Sequence, residues 1–207
     1  MLAVVILAAG ESRRMGQPKA LLPFPENFSA AHSQPTKTAK TFLQHLIEVT
    51  RHPHAGILRV VVGAHAAEIR ARVELPDDAV VINHEWEKGQ LSSLQAAIRS
   101  LPAGGTEGML VCLVDHPLIS APLVHMLIDT FERATNKIVI PTFRGKRGHP
   151  VIFPSALYAE LLAAPENIGA RAVVRGHAAD VVEVPVKEEG VVMNLNDPDT
   201  LERATKK

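Results

Sequence analysis

The chain has 207 residues, of which 46% are hydrophobic, and its 22 basic residues balance its 22 acidic ones, so the formal net charge is zero. This composition predicts one globular domain over residues 1–207, without the basic excess of a general nucleic-acid-binding protein. No apolar run reaches the roughly 18 residues of a membrane-spanning helix. The single cysteine, Cys112, excludes an intrachain disulfide and is typical of a cytoplasmic protein.

Short, β-branched apolar runs alternate with amphipathic stretches along the first two thirds of the chain. Runs of this kind are typical of strands that are buried on both faces of a parallel sheet. The predicted strands cover residues 2–7, 58–62, 79–82 and 109–114. The predicted helices cover residues 41–50, 64–73, 91–101 and 122–134. The alternation predicts an α/β fold with three layers, α/β/α, around a mainly parallel, Rossmann-like sheet.

The pattern changes after Asn136, and residues 137–197 are interpreted as an elaboration on this core. Further strands are predicted over residues 138–141, 151–153, 181–184 and 191–193, and helices over 155–163, 169–175 and from Pro198 onwards. A basic, glycine-containing loop spans residues 143–150. Residues 25–40 are rich in Ser, Ala, Thr and Pro and are predicted to form a long surface loop.

The loop after the first strand, LAAGESRRMGQPK over residues 7–19, is the most informative segment. Gly10 and Gly16 permit a positive φ and close backbone approach, and consecutive N–H groups in such a turn bind anions. Its spacing fits neither a P-loop nor a dinucleotide fingerprint. Its three cations suit a polyphosphate: Arg13, Arg14 and Lys19.

Asp115 ends the predicted strand at 109–114, and its carboxylate is expected at the same sheet edge as the first loop. The residue is interpreted as a Mg²⁺ ligand, since magnesium bound to a nucleotide takes one or two protein carboxylates. Capping of the following helix is the alternative. Trp86 is interpreted as core, with stacking on a base or a pterin-like ring as its alternative.

The first loop resembles the signature loop of the NTP transferases, and most of the chain resembles their MobA/MocA-like subgroup, which includes the molybdenum cofactor cytidylyltransferases. Other segments are similar to later motifs of the subgroup. Residues 83–94 resemble a second nucleotide-contacting segment, and residues 113–117 resemble a metal-binding Asp-x-Pro. The remaining matches are the substrate-side loop at 144–150, residues 169–171, and residues 194–198, where the family's usual aspartates are replaced by Asn194 and Asn196.

The resemblance implies a nucleotide-diphospho-sugar transferase-like fold and a Mg²⁺-dependent enzyme. That enzyme would transfer CMP from CTP to a phosphorylated acceptor, molybdopterin, and release pyrophosphate. Residues 137–197 would then lie on the acceptor side. Within the subgroup, Ala-Ala-Gly at the start of the loop accompanies CTP, and Ala-Gly-Gly accompanies GTP; this chain has Ala8-Ala9-Gly10.

The resemblance also implies roles for individual residues. The catalytic residues would be Lys19, Arg14 and Asp115. The nucleotide-binding residues would be Leu7, Ala8, Ala9, Gly10, Ser12, Arg13, Arg14, Lys19, Gly89, Ser92 and Ser93. The acceptor-binding residues would be His149, Arg147 and Arg171, and the metal ligands Asp115 and Asn196, with Asn194 or Asp197 as alternatives to Asn196.

Alternative functions stay open at the level of sequence. The acceptor could be a sugar or polyol phosphate, and the nucleotide could be GTP. The protein could instead be a non-catalytic factor that holds a cofactor and delivers it to a molybdoenzyme partner. No nucleic-acid or membrane partner is expected.

Overall fold

The computed structural model describes residues 1–24, 40–134 and 136–205. The predicted surface loop at 25–40 lies outside the described residues, apart from Lys40. Across the described ranges, none of the helices has the length and apolar content that crossing a membrane requires.

An eight-stranded sheet in the order β3-β2-β1-β4-β7-β5-β6, with β8 paired to β5, forms the middle layer. Its strands are β1 (Leu2–Ala8), β2 (Ala55–Val62), β3 (Val80–Ile82), β4 (Gly108–Leu113), β5 (Ile138–Phe143), β6 (Lys146–Arg147), β7 (Val151–Pro154) and β8 (Val181–Pro185). The first four strands are parallel to one another, and so are β5 and β8. The strand β7 runs antiparallel to both β4 and β5 and joins the two halves.

Helices cover both faces of the sheet. They are α1 (Phe42–Val49), α2 (Ala66–Arg72), α3 (Gln90–Ser100), α4 (Ala121–Arg133), α5 (Tyr158–Ala163), α6 (Arg171–Gly176) and α7 (Pro198–Thr205). Alternate residues of β1 point to opposite faces: Ile6 packs with residues of α1, α2 and α4, and Val5 packs with residues of α3, α5 and α6. The prediction of a three-layer, mainly parallel fold is confirmed.

Polar residues define where the long helices begin. Thr41 and Gln44 form a reciprocal capping box at α1, in which each side chain bonds the backbone of the other. Ser120 caps α4 by accepting a bond from the N–H of Leu123 at 3.3 Å. The cap of α4 is therefore Ser120, which leaves the Asp115 side chain available for another role.

The prediction of a strand at residues 191–193 is wrong, because residues Glu189–Val192 form a 3₁₀ helix. The apolar run suggested a strand, but its backbone bonds a neighbouring loop instead of a sheet edge: the N–H of His149 donates to the carbonyl of Val191 at 2.8 Å. The predicted loop at 143–150 contains the short strand β6, which turns back along β5.

The strand β1 lies between β2 and β4, and the connections that leave β1 and β3 diverge at their carboxyl ends, because α1 packs on one face of the sheet and α3 on the other. In open α/β sheets this divergence creates a crevice in which ligands bind. Leu7 pairs with Leu113 at the end of this ladder. The glycine-containing loop after β1 and the Asp115 loop after β4 therefore begin side by side.

The Glu189–Val192 turn, named here the 189–192 turn, is held by two close backbone approaches. A Cβ on Gly190 would lie 1.6 Å from the carbonyl oxygen of Leu118, and one on Gly148 would lie 2.3 Å from that of Val191. Only glycine fits at either position. The turn is therefore clamped between the loop after β4 and the β5–β6 hairpin.

Replacing Gly190 with alanine should destabilise the fold by about 3 kcal/mol, because overpacking against backbone forces the turn away from the loop after β4. Urea unfolding monitored by circular dichroism measures the change. Gly176→Ala is the matched control, since a Cβ at Gly176 has nothing within 4 Å, and its effect should stay within about 0.5 kcal/mol. Equal losses in the two variants would contradict the clamp.

Candidate functional site

Two adjoining clefts open where the strands of the sheet end. The first cleft, about 210 Å³, lies between the loops after β1 and β4 and the start of α3. The second cleft, about 530 Å³, lies between the start of α3, the β5–β7 region and α6. Gly89 and Gln90 line both clefts. Two ligands bound side by side would therefore meet at the start of α3.

The loop after β1 is folded back on itself by two left-handed residues, Ser12 (φ 58°) and Gly16 (φ 67°). Gly10, which permits a positive φ, does not adopt one, whereas Ser12 does. The backbone N–H of Lys19 donates to the Ser12 hydroxyl at 3.1 Å. This bond closes the loop and directs the start of the Lys19 side chain toward the first cleft, which it lines.

Lys19 and Asp115 line one wall of the first cleft, and Asn196, which is not a lining residue, contacts Lys19 there. The Lys19 Nζ donates to the Asn196 Oδ1 at 2.6 Å and lies 3.5 Å from the Asp115 Oδ2. The Lys19 and Asp115 side chains are only 15% and 25% exposed, so water screens their attraction weakly. One ammonium thus lies between an amide oxygen and a carboxylate.

A backbone bond brings the C-terminal segment to this wall. The N–H of Leu195 donates to the carbonyl of Asp115 at 2.7 Å, and Leu195 is buried. Asn194 on one side of it is exposed. On the other side, Asp197 accepts a bond from the N–H of Thr200 at 2.8 Å at the start of α7, and this bond holds its pKa below the usual value. Of the three candidates in this segment, Asn196 is the one that contacts Lys19.

Seven of the predicted nucleotide-binding residues line the first cleft: Leu7, Ala9, Gly10, Ser12, Lys19, Gly89 and Ser93. Four do not. Ala8 packs on the face of the sheet opposite to Leu7 and Ala9, and Ser92 is buried with its hydroxyl bonded within the protein. Arg13, with a side chain that is 81% exposed, pairs with Glu11 at 2.6 Å, and Arg14 is exposed. Trp86 packs on the core, as interpreted, and also lines the cleft.

The second cleft has an apolar floor and a basic rim. The buried side chains of Leu94, Val111, Ile140, Val151 and Phe153 contribute to the floor, and the exposed Lys88, Arg147, Arg171 and Arg175, together with one acid, Glu166, contribute to the rim. The three predicted acceptor-binding residues, His149, Arg147 and Arg171, all line it. Arg147 is exposed and already pairs with Glu183 on β8 at 2.8 Å.

His116, which follows Asp115, packs on a residue of the second cleft, and the sequence reasoning missed this contact. Its ring lies against that of His149, with centroids 5.0 Å apart. Burial lowers the pKa of His116. The pKa of His149 is lowered to about 4, mainly by burial and to a smaller extent by the nearby His116. Both rings are therefore neutral at pH 7. The motif Asp-His-Pro carried no signal for this pairing, because the two histidines come from separate loops.

Within the described residues, no group of three or more His, Cys, Asp or Glu side chains could hold a metal ion by itself. A cation at the Lys19 wall would have only Asp115 and Asn196 as oxygen donors from the predicted set. A hard cation accepts both donor types but would need further ligands from elsewhere.

Comparison with known proteins adds independent findings. A family model described as the MobA-like NTP transferase domain matches residues 4–181. The chain is 26% identical over 197 residues to the purine catabolism protein PucB of Bacillus subtilis, covering 94% of this chain and 91% of PucB. It is 24% identical over 197 residues to the molybdenum cofactor cytidylyltransferase of Escherichia coli, with the same coverage of 94% and 91%.

A probable molybdenum cofactor guanylyltransferase of Mycobacterium avium is 28% identical over 141 residues, covering 68% of this chain and 62% of that protein. Among solved structures, Rv0371c from Mycobacterium tuberculosis is 25% identical and matches 100% of this chain and 97% of that one, with a TM-score of 0.79. The names of the relatives include both a cytidylyl and a guanylyl transferase, so they do not select the nucleotide.

The low pKa of His149 predicts a pH dependence of stability. Unfolding returns the imidazole to its ordinary pKa of 6.5, so below pH 6.5 the unfolded chain binds a proton that the folded chain binds only near pH 4. The free energy of unfolding should therefore fall by about 3 kcal/mol between pH 7 and pH 4 through this group. His149→Gln should remove that part of the decline in urea titrations across this range. An unchanged decline would contradict the buried, neutral state.

Proposed function

The chain belongs to the MobA-like NTP transferases and is a nucleotidyltransferase, and on that premise we propose that it transfers CMP from CTP to the phosphate of molybdopterin, releasing pyrophosphate. The contact of Lys19 with Asp115 and Asn196 carries the proposal. This contact brings together, at one wall of a cleft, a cation that could bind phosphate and two oxygen donors that could bind a metal. The wall lies beside the loop after β1, which is suited to polyphosphate.

The described residues fit a magnesium ion at this wall. The Asp115 carboxylate and the Asn196 amide offer the hard oxygen donors that Mg²⁺ prefers, and the contact of both side chains with the Lys19 ammonium supports a position for a cation. A bound Mg²⁺ would neutralise charge on the triphosphate. Since the pair brings one formal negative charge, the metal would arrive mainly with the nucleotide.

The reaction needs no general base from the protein. An ionised acceptor phosphate oxygen forms a bond to the α-phosphorus of CTP, and the bond from that phosphorus to the oxygen bridging to the β-phosphate breaks. Pyrophosphate leaves with the electron pair. The protein contributes position and charge stabilisation: Lys19 would stabilise the negative charge, and Arg14, an exposed residue of the same loop, would join it after a side-chain movement.

The second cleft supports an acceptor with a flat, largely apolar ring system and an anionic group. Its floor is formed by aliphatic and aromatic side chains, and its rim carries Arg171 and Arg175. A sugar or polyol phosphate would bury many hydroxyls against that floor without partners, which is costly. A pterin that bears a phosphate matches the combination better. Delivery to a molybdoenzyme partner would follow the transfer.

Two features support CTP and a cytoplasmic setting. Ala9 is buried and lines the first cleft, so its Cβ narrows the space where a base approaches the loop. A pyrimidine is smaller than a purine and suits that space. The single cysteine of the chain is buried in β4 and free, which agrees with a chain that needs no disulfide in a reducing compartment.

Pyrophosphate release from CTP, Mg²⁺ and molybdopterin is the experiment that tests the function. Lys19→Ala should lower the rate about 100-fold or more, because an oriented cation is lost where charge develops. Lys137→Ala is the matched control, since that lysine pairs with Asp180 on the surface and should leave the rate unchanged. Wild-type turnover in Lys19→Ala would contradict the assignment. Faster release from GTP would overturn the choice of CTP.

Asn196 should set the metal requirement. Asn196→Asp adds a second negative charge and should let Mn²⁺ bind without nucleotide, as measured by electron paramagnetic resonance. Asn196→Ala should instead raise the Mg²⁺ concentration at half-maximal rate about tenfold, because one oxygen ligand is lost. Asp197→Ala is the comparison. If Asp197→Ala abolishes activity while Asn196→Ala titrates with Mg²⁺ like wild type, the ligand is Asp197.

A further inference from the structure

Three polar side chains, Asn83, Ser92 and Ser93, are packed together beside the first cleft. They are 5%, 8% and 4% exposed. Buried polar groups are stable only when their hydrogen bonds are made. The pattern of bonds within this trio therefore defines which atoms donate and which accept.

The orientation of the Asn83 amide follows from a backbone group. The N–H of Glu85 lies 2.9 Å from the Asn83 Oδ1, and an N–H can only donate, so this atom must be the amide oxygen. The Asn83 Nδ2 then faces the hydroxyls of Ser92 at 2.9 Å and Ser93 at 3.0 Å. Because an amide NH₂ can only donate, both hydroxyl oxygens accept from it.

The two serines differ in where their own protons go. The Ser92 hydroxyl donates to the carbonyl of Gly89 at 2.8 Å or of Glu85 at 2.9 Å. The Ser93 hydroxyl has no acceptor for its proton among the described residues, and Ser93 lines the first cleft. Asn83 thus occupies one lone pair of Ser93 and leaves its O–H as a donor for a ligand.

We propose that Asn83 is a positioning residue that makes Ser93 a hydrogen-bond donor to a carbonyl oxygen of the nucleotide base, the O2 atom in the case of cytosine. The inference rests on the proposed function. Ser93 and Trp86 come from the 83–94 segment, whereas Lys19 and Asp115 come from the loops after β1 and β4. If the phosphates bind at the Lys19 wall, the base would occupy the other side of the cleft, where Trp86 provides an aromatic ring and Ser93 a hydrogen-bond donor.

Asn83→Asp tests this polarity with almost no change of shape. One carboxylate oxygen still accepts from Glu85, but the other now accepts from the serines, so Ser93 turns its proton away from the cleft. The dissociation constant of Mg²⁺–CTP, measured by isothermal titration calorimetry, should rise about tenfold. Ser93→Ala should cause a similar rise, and Asn83→Asp combined with Ser93→Ala should be no weaker than Ser93→Ala alone.

Ribose 5-triphosphate, which lacks a base, separates a contact to the base from a general loss of structure. It should bind wild type, Asn83→Asp and Ser93→Ala equally. Ser100→Ala, on the same helix with its hydroxyl bonded to the carbonyl of Ala97, is the matched control and should bind CTP like wild type. Should Asn83→Asp fail to fold, Ser93→Ala with the two ligands still decides whether the donor reaches the base.

The outcomes also separate this inference from the proposed function. Wild type that binds no nucleoside triphosphate contradicts the proposed function itself. Wild type that binds CTP, together with an Asn83→Asp variant that binds it equally well, overturns only the role of Asn83. Equal weakening of CTP and of ribose 5-triphosphate in Ser93→Ala likewise overturns the contact to the base.

Discussion

The parallel pairing of β1 with β4 is the constraint on which the rest of the site depends. It sets the ends of the two strands next to each other, so the loops that leave them begin side by side at one edge of the sheet, and the start of α3 faces these loops across the first cleft. The loop after β1 supplies Lys19, and the loop after β4 supplies Asp115. The backbone bond from Leu195 to Asp115 then brings the C-terminal segment to the same place. Each later feature of the site is built on this edge.

The sequence predicted the features that depend on local patterns. Buried β-branched runs identified the strands of the parallel half, and the charged loop after β1 identified the sheet edge where ligands bind. The failures occurred where distant segments decide local structure. The 189–192 turn looked like a strand because its apolar residues say nothing about the close backbone approach at Gly190.

Contacts between distant segments explain the remaining differences. Lys19 and Asn196 are separated by 177 positions, so their bond could be expected only from family resemblance. The packing of His116 on His149 and the bonding of Asn83 to two serines had no sequence signal of their own. Such contacts form only because the topology places the two segments together. The exposed positions of Arg13 and Arg14 depend instead on the turn that begins at Ser12.

The ammonium of Lys19 between Asp115 and Asn196 determines how charge is balanced at this wall of the cleft. A carboxylate facing an open cleft without a cation would carry an uncompensated charge, but here the chain supplies its own counter-ion. If Mg²⁺ binds at these oxygens, it enters by ion exchange rather than by addition to a vacant position. The displaced ammonium would then be free to follow the incoming phosphates, so one side chain would balance charge with and without the metal.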